Sequence, residues 1–525
     1  MSSIPAVLEV QRLLPSLLLV AFSLTTISCH NESSGPNGQS VGTAEVSSSS
    51  TGKKNHSLAD QDQEVWQAYY MQGKKVGHGY TKTEEINQGS QRLIRTSAEA
   101  MLEVRRFGQP ASMRTEFTTL EKPTGELIRF ETKVQMGRVP MSAKGRVRGE
   151  KLDIELSTQG KSQSQSLPWS LEIGGFFAVE QSLHHEPIKP GQQRNFRAIV
   201  AITNQVGNVE LQAKGLEEVQ LLDGSRELLR VEKTIRLPNN SLDLETMWVD
   251  EQGNILKTKS STMGLESFRT TRQVALSQSK GVDVGQLTLV PVDRPLADPH
   301  ESAHIRYRAH LLNDDPVKAF PQALGQKVTR VDQHTAILDI TPVTPNTPLA
   351  GVVVPPPETS DLEPNNLIQS DDARVTMYAK GIAPGKTAPW EVALEIETFV
   401  HQNIREKNFS QAFATAAEVA QHMEGDCTEH AVLLAAIARA KKIPARVVMG
   451  LVYIPSKQSF GYHMWDEVYV NSRWVPLDGT LGKGGIGGGH IKIATSSLAG
   501  STPYGSLLPV ARVLGQLQLQ ITQVE

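Results

Sequence analysis

Apolar and polar residues alternate at period two through much of the chain between residues 61 and 285. Ile128, Phe130, Thr132, Val134 and Met136 are spaced this way, as are Leu152, Ile154 and Leu156. Alternation sends successive side chains to opposite faces, the pattern of a half-buried strand. Met247 to Leu256 reads as strand, turn and strand about Gly253, and Gly73 and Gly207 mark similar turns. The expectation is a β-rich antiparallel domain over 61–285, either a wide twisted sheet or a partial barrel. His184 and His185 would then lie on a strand with their rings on opposite faces, which argues against a metal site there.

Residues 286–380 mix short strands with proline-rich connections and form a mixed connecting region. Val352–Val354 reads as a short strand stopped by Pro355, Pro356 and Pro357. In 381–525 the period first changes to that of a helix. Ala393, Ile396, Val400 and Ile404 keep helical spacing after Thr387 and Pro389. Thr415 with Glu418 makes a capping box, and Asp426 with Glu429 a variant of it. The second opens a long apolar helix that ends near Lys441 and Lys442, before Pro444. Alternation then returns from His463 to Val470, with Asn471–Ser472 as a turn and Arg473 to Asp478 as the return strand. The fold class expected overall is α+β, a β-rich antiparallel domain followed by a mixed C-terminal domain.

Residues 1–28 have the make-up of an export signal: Arg12, then a mostly apolar run from Leu13 to Leu24. That run is short of the roughly 20 apolar residues of a membrane span. It ends in Thr26-Ile27-Ser28-Cys29, which resembles the lipobox of bacterial lipoproteins. The resemblance implies a lipid anchor at Cys29, a membrane as partner, and an exported location in the bacterial cell envelope. Residues 29–60, rich in Ser, Gly, Asn and Thr, cannot offset their ordering entropy and read as a disordered tether. The chain has 525 residues, 39% hydrophobic, enough for two to four domains. A net charge of −3 and 5% aromatic residues give no footprint for nucleic acid, which is excluded as a partner. The two cysteines, Cys29 and Cys427, rule out a disulfide scaffold and have no zinc-type spacing.

Cys427 would occupy the first turn of the helix capped by Asp426. There the free backbone N–H groups and the helix dipole favour a thiolate and can receive an oxyanion. With Val470 facing Arg473, the hairpin register sets Trp465 opposite Asp478 and makes His463 a diagonal neighbour of Asp478 on one face. Asp478 could then orient the His463 imidazole. Cys427, His463 and Asp478 are the candidate catalytic residues. Glu429 and His430 suggest a metal pair only superficially, since Glu429 belongs to the cap. Gly482 to Gly489 lacks the order of a phosphate loop. It reads as a mobile loop beside the site, with His490 on the rim. No cofactor and no metal is expected.

The segments GDCTEH, HMWDEVYV and WVPLDGT resemble three blocks of the transglutaminase-like superfamily, in its bacterial branch, over roughly 380–485. The resemblance implies a papain-like core, with Cys427 as nucleophile, His463 as base and Asp478 as the orienting acid. It further implies cysteine-dependent acyl transfer or hydrolysis on protein or peptide amides through a thioester. Met464 stands where the family often has Ala. Gln421 lies upstream of the cysteine, as the oxyanion glutamine does in papain-like proteases. The alternative function is a non-catalytic envelope binding or assembly module built on the same fold.

Overall fold

The computed structural model describes residues 64–525 apart from 137–139, 159–160, 239–240, 262, 280, 405–413, 500–508 and 511. The expected leader, the tether and Cys29 lie outside the described residues.

The alternating stretch becomes a fifteen-stranded sheet. Strands β1 (Glu64–Met71) to β8 (Lys161–Pro168) follow one another as antiparallel neighbours. Strands β10 (Gln193–Val200) to β15 (Glu266–Thr270) make a second meander, and the short β9 (Ile173–Gly174) runs parallel to β10 at its end. The two meanders join where β1 pairs β15, with Trp66 opposite Thr270. Burial keeps the period of the sequence. On β5 (Leu127–Gln135), Phe130, Thr132 and Val134 are buried while Glu131, Lys133 and Gln135 are exposed. The sheet also curls, because Phe130, Ile154 and Leu156 from one meander share an apolar cluster with Ile173 and Ile199 at the far end of the other.

Two local readings change. His184 and His185 are in the last turn of a helix, α1 (Ala178–His185), not on a strand. Buried Ala178 and Leu183 give that stretch a helical face, which the adjacent pair of histidines conceals. Gly207 lies inside β11 (Gln205–Leu221), and the turn falls at 201–204, where Ile202 and Asn204 have positive φ.

Three short helices, α2 (Arg272–Ala275), α3 (Val284–Leu287) and α4 (Pro316–Ala319), lead into the C-terminal half. Strands β17 (Ile305–Leu311), β18 (Gln326–Arg330) and β19 (Thr335–Ile340) form a sheet with β24 (Leu517–Val524), so the 286–380 stretch is paired with the last strand of the chain. Val352–Val354 is not a strand. It is an extended connection with Val353 89% exposed, and the prolines that follow have no N–H for a ladder. The helices are α5 (Ala373–Gly381), α6 (Pro389–Asn403), α7 (Ala416–His422) and α8 (Cys427–Ala440). Helix α6 starts on Pro389, and its cap Ala388 makes no side-chain bond, so Thr387 has no capping role. The second sheet is β16 (Val290–Pro291), β21 (Ser459–Val470), β20 (Ala445–Ile454) and β23 (His490–Ser496), with β22 (Arg473–Leu477) on β21.

One apolar core runs through both halves. Val104, Met113, Leu211 and Val231 of the large sheet belong to the same cluster as Val432, Leu433 and Val447. Each such side chain, fully buried, is worth about 1.5–3 kcal/mol. An exposed ion pair between the halves, such as Lys161 with Asp371, contributes about 0–1 kcal/mol. The shared core therefore contributes far more to holding them together than such exposed pairs do. The fold is α+β: a large antiparallel sheet followed by a helix-containing region.

Candidate active site

Helix α8 is buried along nearly its whole length, from Cys427 to Arg439. A helix apolar on every side belongs inside a core, and this one brings its first turn inside too. The cap forms as the sequence suggests. Oδ1 of Asp426 accepts the Thr428 N–H at 3.0 Å, and Oε2 of Glu429 accepts the Asp426 N–H at 2.9 Å. Glu429 also accepts the Ala414 N–H, so both its oxygens are engaged, and His430 Nδ1 sits 2.6 Å from the Asp426 carbonyl; among the described residues neither joins a third potential metal ligand.

Strand β21 begins at Ser459, four residues before His463, and places that histidine mid-strand. Phe460 and Tyr462 are buried on one face and His463 on the other, so no exposed face marks where the strand starts. The hairpin register is as expected: Val470 faces Arg473 and Asp466 faces Leu477. Asn471 and Ser472 both have positive φ, the conformation of a tight two-residue turn. Pro476 pairs with Glu467 without a bulge. β22 leaves β21 after Asp466, and β16 covers only Ser459 and Phe460. In the interval the Met464 N–H has no strand partner on that edge, and it donates to Sγ of Cys427 at 3.3 Å.

Asp478 follows the last residue of β22, and Nε2 of His463 lies 2.7 Å from its Oδ2. Oδ1 accepts the N–H groups of Thr480 at 2.8 Å and Leu481 at 3.2 Å. Burial pushes the Asp478 carboxyl up. The charge of His463 and the N–H groups of His463 and His490 outweigh it and hold the group well below the ordinary carboxylate range. The structure thus bonds His463 to Asp478, and it seats Cys427 on the N–H of Met464, the residue next to His463.

Cys427 differs from expectation in its ionisation. The side chain is wholly buried, and burial, reinforced by Asp426, pushes the thiol well above its ordinary value despite the Met464 N–H. Desolvation outweighs the helix terminus here, so the resting group is a thiol. Gln421 is exposed on α7, and the donor found at the sulfur is the Met464 N–H.

His490 is the residue that sequence reasoning misplaced. It is buried, opens β23, and puts Nε2 3.0 Å from Oδ2 of Asp478. Gly487, Gly488 and Gly489, which lead into it, are buried and packed, whereas Gly482, Lys483 and Gly484 are exposed. A Cβ on Gly487 would fall 2.3 Å from the His300 carbonyl oxygen, and one on Gly488 2.5 Å from Cγ1 of Ile305. The signal for this lay in the run of glycines itself, which marks close approach of backbone as well as flexibility. Glu397 was missed as well. It is buried on α6, accepts the Asp478 N–H at 3.1 Å, and is pushed up to about 7 by burial against the pull of backbone N–H groups from Asp478, Gly484 and Gly485.

Among the described residues, His463, Asp478 and His490 have donor atoms within 4.8 Å of one another. Each ring already directs an N–H at Oδ2, so hydrogen bonding accounts for the convergence and no metal is assigned.

Residues 376–479 match the Transglutaminase-like superfamily. That span contains Cys427, His463 and Asp478 but not His490. No curated protein matches the chain. Among solved structures, a candidate cysteine protease from Cytophaga hutchinsonii is 16% identical, with 43% of this chain and 90% of that chain covered and a TM-score of 0.29. A β-barrel-like protein of unknown function from Brucella abortus is 9% identical over 40% of this chain and 97% of that chain, also at 0.29. A candidate protease from Parabacteroides distasonis is 10% identical over 69% and 68%, at 0.19. At TM-scores this low none of these likenesses bears on function.

Proposed function

We propose that the protein is a cysteine-dependent peptidase or acyltransferase acting on protein or peptide amides through a thioester. The observation that carries this reading is the Cys427–His463–Asp478 geometry, with the sulfur on a backbone N–H at a helix start and the imidazole anchored 2.7 Å from a buried carboxylate. An ionised carboxylate only accepts, so His463 carries its proton on Nε2. Its Nδ1 has no hydrogen-bond partner among the described residues and is the nitrogen left to exchange a proton.

The chemistry then runs from a neutral thiol. As an amide carbonyl enters, His463 Nδ1 takes the Cys427 proton and Sγ bonds to the carbonyl carbon. The C–N bond breaks, His463 returns the proton to the departing amine, and a thioester remains. Water or a second amine attacks, giving its proton to His463, and the C–S bond breaks with that proton returned to sulfur. Asp478 stabilises the imidazolium in each half without taking its proton. Because Cys427 is wholly buried, side chains over the sulfur must move before a carbonyl can reach it.

The test is product analysis with a casein-like protein, with and without a labelled primary amine. New peptide termini support hydrolysis, and amine incorporation with ammonia release supports transfer. Absence of both in wild type, or either persisting in Cys427→Ala, sinks the proposal. We further propose an exported, membrane-tethered location on the strength of the leader and Cys29 alone. Incorporation of labelled fatty acid that is lost in Cys29→Ala would support it, and an unlabelled protein released in soluble form would refute it.

A further inference from the structure

Two imidazoles converge on one carboxylate oxygen. Nε2 of His463 lies 2.7 Å and Nε2 of His490 3.0 Å from Oδ2 of Asp478, and all three side chains are buried. The carboxylate can only accept, so His490 also carries its proton on Nε2. Its Nδ1 has no hydrogen-bond partner among the described residues, as suits the bare nitrogen of a neutral ring. Burial holds His490 below its ordinary value against the pull of Asp478. His300, whose ring stands edge-on to His490 at 5.2 Å, is held by burial at about 3. What sits behind Asp478 is therefore a neutral donor and not a second cation.

We propose that His490 is a positioning residue of the active site: its Nε2–H fixes the Asp478 carboxylate and draws off part of the charge that His463 would otherwise receive. The proposal rests on the peptidase or acyltransferase reading above. A buried imidazole with one nitrogen unpartnered is costly, and an apolar side chain would fill the same space without that cost. The surroundings fix the ring as well. Trp465 meets it edge-on at 5.1 Å, and the packed Gly487, Gly488 and Gly489 before it leave no slack in the backbone. The titratable groups facing the carboxylate are His463 and Asp466 from β21, His490 from β23, Cys427 from α8 and Glu397 from α6, with His300 facing His490.

The consequence is electrostatic. Thr480 and Leu481 occupy Oδ1, and the two histidines share Oδ2. A second donor on the same oxygen weakens its hold on the first, so His463 gives up its proton more readily than it would beside a carboxylate of its own. Without His490 the full charge falls on His463, and the ring holds its second proton more tightly.

The experiment compares His490→Leu, which removes the donor, with His490→Gln, which keeps an N–H in reach. In His490→Leu we expect kcat to fall roughly tenfold to a hundredfold with KM little changed. The acid limb of kcat/KM moves to higher pH, and His490→Gln restores most of both. A second readout needs no substrate: in the downfield proton spectrum, the His463 Nε2–H resonance moves further downfield in His490→Leu and returns in His490→Gln. A folded His490→Leu with an unmoved His463 resonance overturns the proposal, as does a kcat loss that His490→Gln fails to restore with the acid limb in place. If wild type turns over no amide, the functional reading fails and the spectrum alone decides the role of His490.

Discussion

Nη2 of Arg106 lies 2.9 Å from Oδ2 of Asp426, and the side chains are 2% and 0% exposed. Arg106 ends β3 (Gln91–Arg106) in the large sheet, and Asp426 caps the helix that carries Cys427. The turn from β3 into β4 (Gln109–Glu121) is held in place from the other side, since the N–H groups of Phe107 and Gly108 donate to the Asp283 carboxylate at 3.0 and 2.7 Å. Removing one partner of a buried pair leaves the other charge uncompensated. Arg106→Met should cost about 3–5 kcal/mol of stability in denaturant unfolding. An unchanged midpoint and slope would show that Asp426 finds its compensation elsewhere.

Burial of Cys427 gives a kinetic expectation. With the thiol pushed above its ordinary value, alkylation by iodoacetamide at pH 7 should be much slower in the native protein than in a denatured control. The native rate should rise steeply only beyond the usual thiol range near pH ~8.5. Native labelling at pH 7 as fast as the control would mean an exposed or ionised sulfur.

Glu397 makes stability depend on pH in a set direction. Its folded value of about 7 lies above an ordinary 4.5, so between those limits the folded state holds more protons than the unfolded one. Its contribution is fully present below about pH 4.5 and is lost as pH rises through about 7. Glu397→Gln keeps an oxygen for the Asp478 N–H and removes the titration. Its unfolding free energy should fall less than that of wild type between pH 5 and 8, and parallel curves for the two proteins would refute the assignment.

What could be read from sequence was local. The Asp426–Glu429 cap spans one helical turn, and the β21–β22 register is set by a two-residue turn, so both were legible and with them the meeting of His463 and Asp478. Arg106 was not, because its partner is 320 residues away and an ion pair leaves no periodic trace. His490 was misread because a glycine run marks loose and tight backbone alike. The ionisation of Cys427 was misread because a helix terminus can be seen in sequence and desolvation cannot. The long alternating stretch announced strands, yet not the curl that brings Phe130 to Ile199, which depends on strands paired at a distance.

The glycine run offers a steric test. In Gly487→Ala the new Cβ would lie 2.3 Å from a backbone oxygen, which has no rotamer to move aside. Overpacking of this kind should cost about 1–3 kcal/mol. The measurement is thermal unfolding of Gly487→Ala beside Gly215→Ala, where φ is not positive and no atom stands within 4 Å. Equal losses in both would show that the contact with His300 is not the constraint.

The pairing of β1 with β15 has a bearing on the order of assembly. Every other pairing among the described strands of the large sheet joins strands that follow one another in the chain, so each meander can zip from its own turns as it is made. The seam closes residues roughly 200 apart in sequence and must bear a loop-closure cost the local hairpins do not. Until Trp66 finds Thr270, β1 and β15 each present an unpaired edge. The interval before that closure is when the nascent chain is most open to joining the wrong strand, in its own copy or in a neighbour.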